Sequence, residues 1–294
     1  MIKRIVEISN PSKLSVKYKQ LKIQQNNIEI GSVPIEDLGV LIINEPSIIT
    51  TQKLIIECIE NNVSVIFCNE KHMPSGIVIP LCGNSLQSQI LKHQINLNEP
   101  QKKRLWQLIV KEKIKQQSLV LKITNSNYQH LQGLIPKVRS GDPSNIEALA
   151  AKYYWSYLFK ENFRRVTESE GINSLLNYGY AIIRSAVARA IVAAGLNPTI
   201  GIHHKNKYNP FCLVDDLIEP LRPRVDLTVW KMIYEYNFEN ELNKITKVNL
   251  IEILCQECTI SSEQIDLLLA TQKYVVSFRK FLQLEIAKLE FPSL

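Results

Sequence analysis

The sequence predicts an α+β protein, with a small β-rich N-terminal domain at 1–86 and a larger all-α C-terminal domain at 87–294. Three observations carry this reading. The chain has 294 residues, about twice a usual domain length. Its first part alternates apolar and polar residues at the period of a strand, and from Gln87 the period becomes helical. Hydrophobic residues make up 45% and charged residues 21%, which supplies a core and excludes a disordered chain.

In order, Leu14, Val16 and Tyr18, then Leu21 and Ile23, then Ile28 and Ile30 mark three short strands. Asn26-Asn27 is a hairpin turn by its chemistry, because Asn tolerates positive φ. Gly39–Ile43 is a fuller apolar strand. Thr50 is placed to cap a helix running to Asn62, with Leu54, Ile55 and Ile59 on its apolar face. Val63–Cys68 and Gly76–Leu81 are two further strands.

Leu86–Leu97 then leads into a long basic helix from Pro100 to about Lys122, with Leu105, Leu108, Ile109 and Ile114 as its buried stripe. Asp142-Pro143 reads as a helix start, Asp as N-cap and Pro in the first turn, with the helix reaching about Phe159. Asn173–Ala194 is a long Ala-rich helix, apolar nearly all round and hence buried, ending at Gly195. Residues 223–242, 247–257 and 261–290 read as further helices.

The formal charge of +7 is uneven. Residues 1–82 hold eight basic and eight acidic residues, so the whole excess lies beyond them. Lys92, Lys102, Lys103, Arg104, Lys111, Lys113, Lys115 and Lys122 crowd one stretch against only Glu99 and Glu112. Such a field attracts phosphate backbones; the alternative is a solvated helix face. No run approaches the roughly 20 apolar residues of a membrane helix. The first residues, Met1 to Glu7, break their apolar pattern with charge too early for a signal peptide. The expected location is therefore the cytoplasm. The six Cys do not suggest a disulfide framework. Cys255 and Cys258 form the only CxxC and have no second pair to complete a zinc site, so they are expected to be helix thiols.

Two of the five His are adjacent, His203 and His204, and Asp215, Asp216 and Glu219 follow. On a helix Asp216 and Glu219 share a face, as do Asp215 and Glu219. Carboxylates so placed repel unless a cation or basic groups neutralise them. Oxygen ligands suit Mg²⁺ or Mn²⁺, and an added imidazole tilts the choice toward Mn²⁺. Glu147, in an Ala-lined helix, is a further candidate. The competing reading of these acids is a surface helix start that complements the helix dipole.

The same residues carry a resemblance. Arg139–Ala148 resembles an "SGDPxNxE" helix start ending on Glu147, and Asn173–Tyr180 an "NxxLNYGY" helix. Gly195–His204 resembles a "GLxPxxGxxH" loop, and Leu213–Pro223 an "LxxDLxExxRP" segment. In that order and spacing, the chain resembles the CRISPR-associated spacer integrase, the metal-dependent nuclease of CRISPR adaptation, in its type II form. The resemblance implies that Glu147, His204 and Glu219 are both the catalytic residues and the ligands of a Mg²⁺ or Mn²⁺ ion. His204 is preferred to His203 because it closes the tetrapeptide begun by Gly201. Asp216 is implied near the ion as a weak or indirect ligand, while Asp215 has no counterpart and is expected to be exposed. Asn177 and Tyr178 lie in a family motif near the implied site, with packing an equal alternative.

The implied reaction inserts foreign DNA fragments into a CRISPR array: a fragment's 3′-hydroxyl attacks a repeat phosphodiester, and water in its place gives nuclease activity. The implied partners are double-stranded DNA, a second copy of the chain joined through the N-terminal domain, and a dimer of a small second CRISPR-associated protein bridging two homodimers. An inert DNA-binding scaffold of the same fold and a general repair nuclease are the alternatives.

Overall fold

A computed structural model describes residues 4–70, 72–81, 84–159, 163–166 and 170–294. The chain splits into two compact units, Met1–Gln87 with Val192–Gly195, and Ser88–Ile191 with Leu196–Leu294. The first holds two four-stranded sheets and one helix; the second is helical and carries one hairpin. The expected α+β class, strands first and helices after, is the class observed.

The first unit runs β1 (Arg4–Ile8), β2 (Lys13–Lys17), β3 (Gln20–Gln25), β4 (Ile28–Pro34), β5 (Leu38–Ile43), β6 (Ile49–Thr50), α1 (Gln52–Glu60), β7 (Ser64–Cys68) and β8 (Pro74–Val78). One sheet has the order β1-β5-β7-β8, parallel except for the last pair; the other has the order β4-β3-β2-β6. Every residue of β5 is buried, as the centre of a parallel sheet requires. Asn26 and Asn27 both take positive φ and form the hairpin turn. Tyr18 departs from its expected inward place. It and Lys19 turn the preceding hairpin at φ 51° and 56°, leaving Tyr18 84% exposed. The cap of α1 is Thr51 rather than Thr50, and its buried face is Leu54 and Cys58.

The second unit contains α2 (Gln87–Ile95), α3 (Glu99–Ile123), α4 (Gln129–Leu134), α5 (Ile146–Leu158), α6 (Ile172–Ala193), α7 (Cys212–Leu217), α8 (Arg222–Tyr234), α9 (Lys244–Ile251), β9 (Glu257–Ile260), β10 (Glu263–Asp266) and α10 (Leu267–Leu282). A capping box at Asn98 and Pro100 in the first turn start α3. This helix packs against α4, α5 and α8 and so forms the spine of the unit. Leu105, Ile109 and Ile114 are buried as expected, but Leu108 is outward, and Trp106 and Val110 complete the stripe. The α6 helix is buried over most of its length, and Gly195 ends it at φ +82°.

Several expectations fail here. The helix expected over 223–242 ends at Tyr234, and residues 257–266 form a tight hairpin, Ser261 and Ser262 turning it at positive φ, where one helix was expected to end at 257 and the next to start at 261. β9 alternates exposed and buried residues, the signature of a half-buried strand. Consequently Cys255 ends a 3-10 turn and Cys258 lies in β9; both are free thiols, and neither is on an α-helix. Cys82 lies outside the described residues, as do Met1, Ile2 and Lys3. Among the described residues no helix is long and apolar enough to cross a membrane.

A buried polar cluster joins three helices. Asp226 of α8 accepts hydrogen bonds from the hydroxyls of Tyr154 in α5, at 2.9 Å, and Tyr180 in α6. Burial raises the Asp226 carboxyl to about 7, against the lowering pull of the two hydroxyls. Between about pH 4 and 7 the folded chain keeps a proton that the unfolded chain has lost, so this group's stabilising effect fades as pH rises through that window. Urea unfolding of wild type and Asp226→Asn across this range measures it. The wild type is expected to lose stability relative to the variant by up to about 1.4 kcal/mol per unit of pKa shift; parallel pH profiles would refute the assignment.

Candidate functional site

Glu147 sits one residue into α5. The start of that helix differs from the expected one. Asp142 takes φ 49°, Asn145 is the residue flanking the helix in the left-handed region, and α5 begins at Ile146. Asp142 still caps it, accepting the N–H of Ile146 at 3.0 Å and of Glu147 at 2.9 Å. That bond fixes the backbone from which the Glu147 side chain reaches α3.

Glu219 opens a 3-10 turn, Glu219–Leu221, between α7 and α8. Pro220 has no N–H and cannot continue α7, so the chain tightens there and restarts as α8 at Arg222. The turn packs against α3. As a result, Glu147 Oε1 and Glu219 Oε2 each lie 2.6 Å from the ammonium of Lys113. These two carboxylates come from distant parts of the sequence and meet on one cation. All three side chains are at most 23% exposed. Lys113 donates to Glu147 Oε1, and its ammonium makes an equally short contact with the buried Glu219 Oε2.

Arg222 donates from Nε to the other oxygen of Glu219 at 2.8 Å. Burial alone would raise the Glu219 carboxyl, but Arg222 and Lys113 outweigh it and hold it at about 2. Burial likewise opposes the Lys113 charge, and Glu219 and Glu147 override it to raise the ammonium's pKa. Glu219 is thus ionised at any ordinary pH although it is buried.

The His203-His204 loop is organised by Asp216, which is fully buried. Its Oδ2 accepts the N–H of Ile202 at 2.6 Å and of His203 at 3.1 Å. Its Oδ1 accepts the N–H of His204 at 3.1 Å and contacts His204 Nδ1 at 2.7 Å. Three successive amides wrapped on one carboxylate form an inward-facing nest. Gly201 makes this possible, because a Cβ there would stand 2.5 Å from His204 O and 2.9 Å from Asp216 Oδ2. The hydrogen bond to Asp216 raises the His204 pKa, against partial burial, and the Glu219 charge adds to the effect. With both oxygens engaged, Asp216 positions His204.

His203 has a different setting. Its ring stacks on Trp106 at 4.1 Å and 2°. Beside this stack is a cavity of about 260 Å³ lined by Lys102, Lys103, Gly141 and Lys205. Lys103 and Arg104 are exposed on α3, while Lys102 is half-buried and lies 3.8 Å from Glu99.

Asp215 is not exposed as expected. It pairs with Arg184 Nε at 2.6 Å and accepts from Asn209 at 2.6 Å, and these partners hold its carboxyl low despite burial. Asn177 accepts from Arg165, and Tyr178 is a fully buried ring. Lys113 is the residue that charge counting misplaced, since it is buried rather than on a phosphate-facing surface. Its spacing was a usable signal: Ile109, Val110, Gln116 and Gln117, three or four residues away on either side, are all buried. Arg222 gave no such signal beyond its place in a motif.

Among the described residues, no three His, Cys, Asp or Glu side chains stand close enough together to hold one ion. The Lys113 ammonium lies between the two glutamates.

The chain matches the family model described as CRISPR associated protein Cas1 over residues 6–250. It is 40% identical over 278 residues to the CRISPR-associated endonuclease Cas1 of Neisseria meningitidis serogroup C (strain 8013), covering 94% of this chain and 91% of the relative. Two solved structures share the fold at low identity. One is a casposase bound to integration product, with TM-score 0.81 and 18% identity over 98% of this chain and 92% of that one. The other is a CAS1 protein from Thermotoga maritima, with TM-score 0.77 and 15% identity over 95% of this chain and 97% of that one. With a family model spanning most of its length and a 40% identical relative covered nearly end to end, this chain belongs to the CRISPR-associated Cas1 family.

Proposed function

We propose that this chain is a divalent-metal-dependent DNA endonuclease and integrase of CRISPR adaptation, joining foreign DNA fragments to a CRISPR array. One observation carries the reading: two carboxylates far apart in sequence, Glu147 and Glu219, meet on a single buried positive charge. The relative's name, CRISPR-associated endonuclease, supports it.

The donors fit a hard cation. Two carboxylates already converge within 2.6 Å of one cation, the Lys113 ammonium. His204 has its Nδ1 committed to Asp216, which leaves Nε2 as the nitrogen able to ligate. Glu147, Glu219 and His204 Nε2 are therefore the proposed ligands, for Mg²⁺ or Mn²⁺. When bound, the ion supplies a lowered pKa for an attacking hydroxyl and charge stabilisation for the phosphate. Arg222 keeps Glu219 ionised, and the Asp216 nest keeps the imidazole aimed. The attacking group is the 3′-hydroxyl of a DNA fragment in integration and water in cleavage.

A branched-DNA strand-transfer assay with either metal tests the site. Glu147→Ala is expected to lower product at least as far as the roughly 10–100-fold cost of removing an outer-shell partner, with DNA affinity unchanged. Wild-type strand transfer by this variant would refute the site.

The outward cations of α3 are proposed to track the DNA backbone. Changing Lys102, Lys103 and Lys111 to Glu is expected to weaken DNA binding and to lower the slope of log affinity against log salt by about 3. An unmoved slope would make this face merely solvated.

The N-terminal unit is proposed to pair two copies. Supporting this, its Ile28, Ile30 and Ile49 are 68%, 55% and 64% exposed, and β4 is a sheet edge. Ile28→Glu with Ile30→Glu is expected to convert a dimer to a monomer by light scattering; a dimer of unchanged affinity would exclude this face. Two such dimers are proposed to flank a dimer of a small second CRISPR-associated protein. Strand transfer indifferent to that protein would remove it from the reading.

A further inference from the structure

The helical unit places a lysine where the proposed ion belongs. Lys113 Nζ is 2.6 Å from Glu147 Oε1 and 2.6 Å from Glu219 Oε2, one oxygen of each carboxylate proposed as a ligand. Arg222 adds a second positive charge on Glu219. Two carboxylates, one ammonium and one guanidinium sum to zero, so without a divalent ion the cluster is neutral and the buried acids are compensated. A divalent ion cannot take the same two oxygens while the ammonium stays on them, because two cations would then share one small volume. The ammonium rides on a flexible four-carbon stem, so it can leave these oxygens by changing rotamer.

We propose that Lys113 is the resident counter-cation of this site: it holds Glu147 and Glu219 together in the metal-free protein and competes directly with the divalent ion for them. The inference rests on the metal reading given above. Its consequence is that metal affinity is set partly by the cost of displacing the ammonium. A ligand shifts an equilibrium only by its differential affinity for the two states. Removing the competitor raises the free energy of the metal-free state by leaving Glu147 without its counter-cation and Glu219 with Arg222 alone, and binding the ion then relieves it. Lys113 is therefore a positioning residue that acts on the metal-free state.

The test is Mn²⁺ binding to the full-length protein without DNA, read by calorimetry and by loss of the free-ion EPR signal. Lys113→Met and Lys113→Gln are each compared with wild type; Gln keeps a polar head if Met folds poorly. Both are expected to bind Mn²⁺ at least tenfold tighter, to melt lower without metal and to gain a larger melting shift with it. Lys113→Arg keeps the charge and is expected to bind as wild type does. Adding Glu219→Gln to Lys113→Gln is expected to abolish the gain, which locates the ion at this cluster. Equal or weaker binding by the Met and Gln variants, or an equal gain in the Arg variant, would overturn the role of Lys113 while leaving the metal site standing. No binding by any of them at millimolar Mn²⁺ would overturn the metal reading and this inference with it.

Discussion

A buried Glu219 and a half-buried Glu147 are held side by side in the helical unit because Lys113 lies between them. Desolvating an unpaired carboxylate costs several kcal/mol, and two side by side would also repel. The ammonium from α3 and the guanidinium from α8 remove both penalties. That constraint ties together the start of α5, the turn between α7 and α8, and the middle of α3. None of the three can shift without unpairing a buried charge. The cluster is thus a staple of the fold, its two negative charges matched by two positive ones.

The second organising group is Asp216, and it acts by a different physical means. Its charge is spread over backbone amides and one imidazole rather than met by a lysine. A loop that closes three amides on one carboxylate has little freedom left, so the direction of the His204 ring is settled before any ligand arrives. His203 is held as firmly by its stack on Trp106. The adjacent histidines are therefore separated by environment: one faces the acidic cluster electrostatically, the other lines a basic cavity.

Much of this was legible in the chain. Periodicity located the strands before Gln87 and the long helices after it, and Asn26-Asn27 announced its own turn. The acids and the histidine stood out through residue type and spacing. What could not be read was charge geometry. Counting lysines treats every one as a surface ion, yet Lys113 shares the buried stripe of α3, and only the third dimension shows which acids it meets. The α5 start misled for a related reason. Asp142 does cap the helix, but across a left-handed Asn145 that displaces the first turn by three residues. The 257–266 hairpin was missed because four-residue strands are shorter than the window in which periods can be told apart.

The α3 helix joins the two charge patterns. Its inward face supplies the cation that compensates the acidic cluster, and its exposed positions carry Lys103 and Arg104 toward solvent. Twenty-five residues of one helix hold both rigidly in register. A polyanion drawn to the outer cations is presented to the same element that neutralises the acids. It would also offer the displaced Lys113 ammonium an alternative anion. The positive surface and the buried negative pair are in this sense one electrostatic device, built on a single helix whose two faces carry charge for opposite purposes.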